Sequence, residues 1–162
     1  MRSSIARRLA TLALLPATLL GAVLVAAPAQ AAAPTTQQLQ TAIVTATNAA
    51  RAKAGCPQLR VNPALVQAAR NHSAWMARTG TFSHVGSANS SFVTRVNAAG
   101  YHAPLAENIA WGYRDGAQVV AAWMNSPAHK ANIVNCTAKA VGVGAIYAAN
   151  GTPYYTQEFG FK

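Results

Sequence analysis

Ala140-Val-Gly-Val-Gly-Ala-Ile-Tyr147-Ala-Ala-Asn150-Gly151-Thr-Pro153-Tyr-Tyr-Thr-Gln-Glu158-Phe-Gly-Phe161 is the stretch on which the fold turns. Apolar and small residues run from Ala140 to Ala149, and a β-branched and aromatic run follows from Pro153 to Phe161. Asn150-Gly151 lies between them, a strong hairpin signal because both residues tolerate the left-handed backbone of a tight turn. Side chains alternate across a strand. Val141, Val143, Ala145 and Tyr147 therefore share one face of the first strand. On the second, Tyr154, Thr156 and Glu158 share one face, and Tyr155, Gln157 and Phe159 share the other.

Upstream of the hairpin the pattern is helical. Leu39, Ile43, Ala46 and Ala50 recur at three- and four-residue steps between Gln37 and Ala54, and Gly55 stops the run. Asn62-Pro63 opens a second helix with an N-cap and a proline at the first turn. It ends at Gly80 and sets Leu65, Ala69, His72 and Met76 on one face. Ser90 caps a short helix over Ser91–Ala99. Asn108–Trp111 is a short strand, Asp115 caps a helix over Gly116–Met124, and Ser126-Pro127 starts another through Val134. Helices first and a hairpin last imply an α+β fold, with helices packed on an antiparallel sheet.

Residues 1–31 read as a signal peptide: Arg2, Arg7 and Arg8 precede an apolar run from Leu9 to Ala27, and Ala29-Gln-Ala31 is a small-residue cleavage pattern. The expectation is therefore cleavage, no stable transmembrane anchor and a secreted, extracellular or cell-wall-associated chain. Residues 32–36 are a linker, and 37–162 form one domain of ordinary size. The whole chain carries 13 Lys and Arg against 3 acids, and without residues 1–31 the formal charge is +7. That excess favours anionic envelope polymers or lipid head groups. The charges are scattered and the address is extracellular, so nucleic acid is not an expected partner, and a monomer is expected. The two cysteines, Cys56 and Cys136, read as one disulfide in an exported chain. Closing so long a loop is worth about 4–5 kcal/mol in the chain-entropy model. A metal site at these cysteines lacks local Cys-x-x-Cys or Cys/His spacing.

With so few acids, the position of each is informative. Glu107 sits in the apolar run Leu105-Ala-Glu-Asn-Ile109, where a carboxylate is costly unless paired. Its candidate partners are His84, in Phe82-Ser-His84, and His129, in Ser126-Pro-Ala-His129, with Glu158 as a second acid. Two histidines and a carboxylate are a plausible ligand set for zinc or another divalent metal (His84, His129, Glu107), or a proton-transfer group. Their spacing matches no compact ligand motif, and each histidine alone reads equally as a structural residue. His72 reads as structural and His102 as exposed. Ser126 with a histidine and a glutamate lacks a Gly-x-Ser-x-Gly elbow. Gly142 and Gly144 lie in a strand and form no phosphate loop. Asn-x-Ser/Thr sequons begin at Asn71, Asn89, Asn135 and Asn150.

Taken in order, several motifs resemble the CAP superfamily (cysteine-rich secretory, antigen 5 and pathogenesis-related 1 proteins, or SCP domains) in its bacterial branch. They are Asn48-Ala-Ala-Arg51 with Gly55, Asn62-Pro-Ala-Leu65, Phe82-Ser-His84, Ala99-Gly-Tyr101 and Ala106-Glu-Asn-Ile109. Trp123-Met-Asn-Ser-Pro-Ala-His129-Lys-Ala-Asn-Ile133, Val141-Gly-Val-Gly144 and Tyr155-Thr-Gln-Glu-Phe-Gly160 complete the set. The resemblance implies an α-β-α sandwich with a central antiparallel sheet flanked by helices. It also implies a His/Glu cleft that holds a divalent metal in some members, and it supports the Cys56–Cys136 pairing.

Carried over, His84 matches the first histidine and Glu107 the acid of the Gly-Glu-Asn motif, here preceded by Ala106. Tyr154 stands where eukaryotic members place a second histidine, and His129 is the histidine of the bacterial Ser-Pro-x-His motif. The usual second acid before the hairpin is replaced at Lys139-Ala140, leaving Glu158. The expected cleft is thus His84, Glu107, Asn108, Ser126, His129, Tyr154 and Glu158. The resemblance favours a non-enzymatic module binding a sterol, fatty acid or other apolar ligand, or an anionic envelope component. The alternatives are a metal-dependent or acid/base hydrolase, with His84, Glu107, His129 and Glu158 as catalytic candidates, and a purely structural extracellular domain.

Overall fold

The strands of the hairpin form the middle of the sheet in a computed structural model that describes residues 32–162; the signal-peptide reading falls on residues outside that range. In chain order the elements are α1 (Thr36–Lys53), β1 (Arg60–Val61), α2 (Pro63–Thr79), a 3-10 turn (Ser87–Asn89), α3 (Phe92–Ala98), β2 (Pro104–Trp111), α4 (Gly116–Asn125), α5 (Pro127–Ile133), β3 (Ala140–Tyr147) and β4 (Pro153–Gly160). The sheet order is β1-β3-β4-β2. β3 and β4 pair antiparallel from Ala140↔Gly160 to Tyr147↔Pro153, and Gly151 takes the positive φ of +79° that the turn needs.

The sheet departs from a purely antiparallel one at its far edge. β1 is only two residues long and runs parallel to β3, its register set by Arg60 N–H to the Lys139 carbonyl and Asn62 N–H to that of Val141. The linker also ends earlier than expected: Thr35 and Gln38 form a reciprocal capping box, so helix begins at Thr36. Similarly, Ser91 rather than Ser90 caps α3, accepting from Thr94 N–H. Asn62 and Asp115 cap α2 and α4 as their positions imply.

Alternation divides the sheet faces between two helical layers. Val141, Val143, Ala145, Tyr155 and Phe159 pack with Leu39 and Ile43 of α1, Val119 and Trp123 of α4, and Ile133 of α5. On the other face α2 lies against the backbone of β3. A Cβ at Gly142 would sit 2.1 Å from the Leu65 carbonyl carbon, and one at Gly144 2.4 Å from the carbonyl of Ala69. These glycines exist so that a helix can touch the sheet directly.

Two features tie the chain ends of these layers together. Arg51 is fully buried and donates to the carbonyls of Pro57 (2.9 Å), Ile133 (2.8 Å), Asn135 (2.8 Å) and Ala138 (3.1 Å). Beside it, Cys56 and Cys136 form the disulfide, their Cα atoms 4.9 Å apart. The edge strand β2 is covered rather than left as a template for strand addition. Trp123 Nε1–H donates to the Ile109 carbonyl at 2.9 Å, and Asn132 Nδ2 to that of Glu107 at 3.3 Å.

Candidate functional site

The pairing of β2 with β4 sets Glu107 directly opposite Glu158. Opposite residues of an antiparallel pair share a face. Here it is the α2 face, because Ser73 of α2 donates to Thr156 Oγ1, two residues before Glu158, at 2.9 Å. Both acids are buried, Glu158 completely. Two such carboxyls cannot both be ionised cheaply.

The surroundings decide which one carries the charge. His84 Nδ1–H donates to Glu107 Oε1 at 2.7 Å, and Arg95 Nη2 donates to Oε2 at 2.5 Å. Burial opposes the charge on Glu107, but hydrogen bonds from His84 and from Glu158, with the positive field of Arg95, overcome it and hold its pKa below the usual carboxylate value. Glu158 goes the other way. Burial first, then the adjacent Glu107 charge, pushes its pKa well above the usual value. Neither of its oxygens meets a partner at ordinary hydrogen-bond geometry. Of the two acids, Glu158 is the one whose surroundings favour the neutral form.

Arg95, from α3, holds more than the carboxylate. Its Nη1 donates to the carbonyls of Ser90 (2.8 Å) and His84 (3.1 Å), so it fixes the loop that presents His84. Gly86 lets that loop close: a Cβ there would sit 3.0 Å from Arg95 Nη1 and 3.1 Å from His72 Nδ1. His72 Nε2–H donates to the Ser83 carbonyl at 2.9 Å and lies 4.0 Å from Glu107 Oε2. Its burial, against the pull of Glu107, lowers its pKa and keeps the ring neutral. Neither His72 nor Arg95 belongs to the site expected from the sequence, yet both face its central acid.

The remaining expected residues divide between the two sides of β2. Asn108 is completely buried and points away from Glu107: it donates to Gln157 Oε1 (3.1 Å) and to the His129 carbonyl (3.3 Å), and accepts from Asn132 (2.8 Å). It braces α5 against the sheet. His129 and Ser126, on the same side, line a cleft of about 290 Å³ with Phe82, Ile109, Trp111, Tyr113 and Trp123. Burial and the nearby His84 lower the pKa of His129. Tyr154 stacks on Trp111, ring centroids 6.3 Å apart, and packs with Met76 and Ile109 rather than lining the cleft. His84 is half exposed; Glu107 lies beneath it.

This geometry does not fit a divalent ion at His84, Glu107 and His129. Both Glu107 oxygens already accept hydrogen bonds, one from a guanidinium, and the His84 nitrogen facing it carries the proton. Among the described residues no group of three or more His, Cys, Asp or Glu side chains is arranged to hold a metal. Among the described residues the histidine side-chain hydrogen bonds go to Ser83 and Glu107, the His129 carbonyl accepts from Asn108, and none joins a histidine side chain to Ser126.

A sheet between two helical layers, with a histidine over a buried acid on the edge strand, defines a CAP-type module. The chain belongs to the cysteine-rich secretory protein (CAP) family, whose family model matches residues 44–159. Among curated relatives, the uncharacterized protein YkwD of Bacillus subtilis is 36% identical over 118 residues, 72% of this chain and 45% of that one. The uncharacterized membrane protein YlbC of the same organism is 33% identical over 118 residues, 72% of this chain and 33% of its own length. The chain thus spans less than half the length of these relatives. An extracellular SCP-domain protein from Bacillus anthracis superposes with a TM-score of 0.71 at 27% identity, over 78% of this chain and 41% of that one. An outer surface protein of Borrelia burgdorferi shares the fold, with a TM-score of 0.67 at 20% identity over 74% of this chain and 90% of that one. No helix of the described residues is long and apolar enough to cross a membrane.

Proposed function

We propose that this chain is a non-catalytic extracellular binding module that takes an apolar chain with an anionic head, such as a fatty acid, in the cleft beside β2. One observation carries this reading: Phe82 (46% exposed) and Trp111 (53%) flank a cleft walled by Trp123 and Ile109. Exposed aromatics clustered around a concavity are what an apolar ligand requires, whereas scattered surface apolar residues need no explanation. Phe82 and Trp111 are already in contact distance, 6.4 Å between centroids. The basic surface and the neighbouring His84 suit an anionic head. The extracellular and outer-surface descriptions of the Bacillus anthracis and Borrelia proteins support an address at the envelope.

A hydrolase draws less support, since Glu107 is committed to Arg95 and His84 while Glu158 is fully enclosed. The test is a titration of the protein with dodecanoate below its micellar range, followed by tryptophan fluorescence. Saturable binding is expected. Covering about 100 Å² of Trp111 is worth ~2.5 kcal/mol, so Trp111→Ala should weaken binding more than tenfold. A flat titration of the wild-type protein removes the proposal.

A further inference from the structure

The buried side-chain atoms without a hydrogen-bond partner among the described residues are His72 Nδ1, Arg95 Nε and both oxygens of Glu158. All four lie in the cluster around Glu107. Cores satisfy their polar atoms, so unsatisfied ones gathered in one place mark a site built around something other than packing. The cluster holds two carboxyls and two imidazoles, Glu107 and Glu158 with His72 and His84, residue types that ligate divalent ions elsewhere but that are not arranged around an ion position here. Into it α3 inserts one guanidinium.

From this geometry we infer that Arg95 is a built-in cation that takes the place of a metal and closes the four-residue set to divalent ions. A metal needs a free carboxylate oxygen and an imidazole lone pair directed at it. Arg95 sits 2.5 Å from Glu107 Oε2, and the other oxygen accepts from His84 Nδ1–H. A second cation at the same oxygen would meet the full charge of the guanidinium in a buried setting, where repulsion is poorly screened. Arg95 cannot swing aside without cost, because its Nη1 also holds the Ser90 and His84 carbonyls. The charge is fixed where an ion would be exchangeable. This inference does not rest on the ligand proposed for the apolar cleft.

The test is zinc titration of the protein at neutral pH, read by calorimetry and by the imidazole C–H resonances of His72 and His84. Wild type and Arg95→Lys, which keeps the charge, should show no zinc-induced shift of those two residues. Arg95→Met, which keeps the bulk and removes the charge, should bind one zinc per chain at least 100-fold more tightly than wild type. Adding Glu158→Gln to that variant should abolish the gain. If Arg95→Met is unfolded on its own, zinc should restore its circular dichroism spectrum, and failure to do so counts against the inference. Zinc binding by wild type at His72 and His84 as tight as in Arg95→Met, or a folded Arg95→Met that binds none, overturns it.

Discussion

Replacing Glu158 by glutamine should make the protein more stable as the pH rises from 4 to 7, relative to wild type. The cause is the enclosed, neutral carboxyl described above. Glu158 has no exposed surface, and its pKa is raised by burial and then by the charge on Glu107. A group whose folded pKa is raised contributes stability only below its unfolded value, and that contribution is lost as pH climbs towards the folded value. Each pH unit in that window costs the wild type ~1.4 kcal/mol, because the unfolded chain releases the proton and the folded chain does not. An amide cannot ionise. The difference in stability between Glu158→Gln and wild type should therefore grow by ~1.4 kcal/mol per unit from about pH 4.5 upward, reaching ~2.7 kcal/mol by pH 6.5 while the folded group remains neutral. Urea unfolding at matched ionic strength and half-unit pH steps measures it. A difference that is flat in pH, or that falls as pH rises, would refute the assignment of the proton to Glu158.

Further expectations follow from the packing. Gly144→Ala places a Cβ 2.4 Å from the Ala69 backbone, which a side-chain rotation cannot relieve; thermal unfolding should show a loss of about 3 kcal/mol or more. Arg51→Met removes the guanidinium's bonds to four carbonyls, two of which, those of Ile133 and Ala138, are buried. Chemical denaturation should show a cost of about 3–5 kcal/mol, and a loss under 1 kcal/mol would mean that water replaces the guanidinium. Unreduced, denatured protein should give no free thiol, since Cys56 and Cys136 are paired. The Cys56→Ser/Cys136→Ser variant should lose about 4 kcal/mol.

The parts of this structure that can be read from the chain are those with local signals. Asn150-Gly151 marks the hairpin, and Asn62-Pro63 and Asp115 mark helix starts, because caps and turns depend on residues within a few positions of each other. β1 carries no such signal. Two residues pair with β3 only because the chain passes Lys139 on its way into α2. β2 starts at Pro104 rather than Asn108, since an edge strand tolerates a proline and a polar residue that a central strand does not.

The site divides in the same way. His84 and Glu107 stand out as polar residues in apolar or aromatic surroundings, and they do meet. The orientation of Glu158 depends on the β2–β4 register, which alternation within β4 leaves open. Arg95 and His72 reach Glu107 from helices whose patterns show only an apolar face. For Arg95 the sequence offers only its place beside Val96, on the apolar face of α3. His129 and Glu107 carry similar motif weight, yet no hydrogen bond joins their side chains among the described residues, and His129 lines the cleft with Phe82 and Trp111.

An apolar ligand in the cleft beside β2 would be read out by the indole N–H resonances. The chain has three tryptophans: Trp111 and Trp123 line that cleft, and Trp75 lies on α2 against His72, in a different groove. On titration with dodecanoate, the Trp111 and Trp123 signals should move with one common saturation curve while the Trp75 signal stays fixed. Movement of Trp75 alone, or no saturable movement of any of the three, would contradict it.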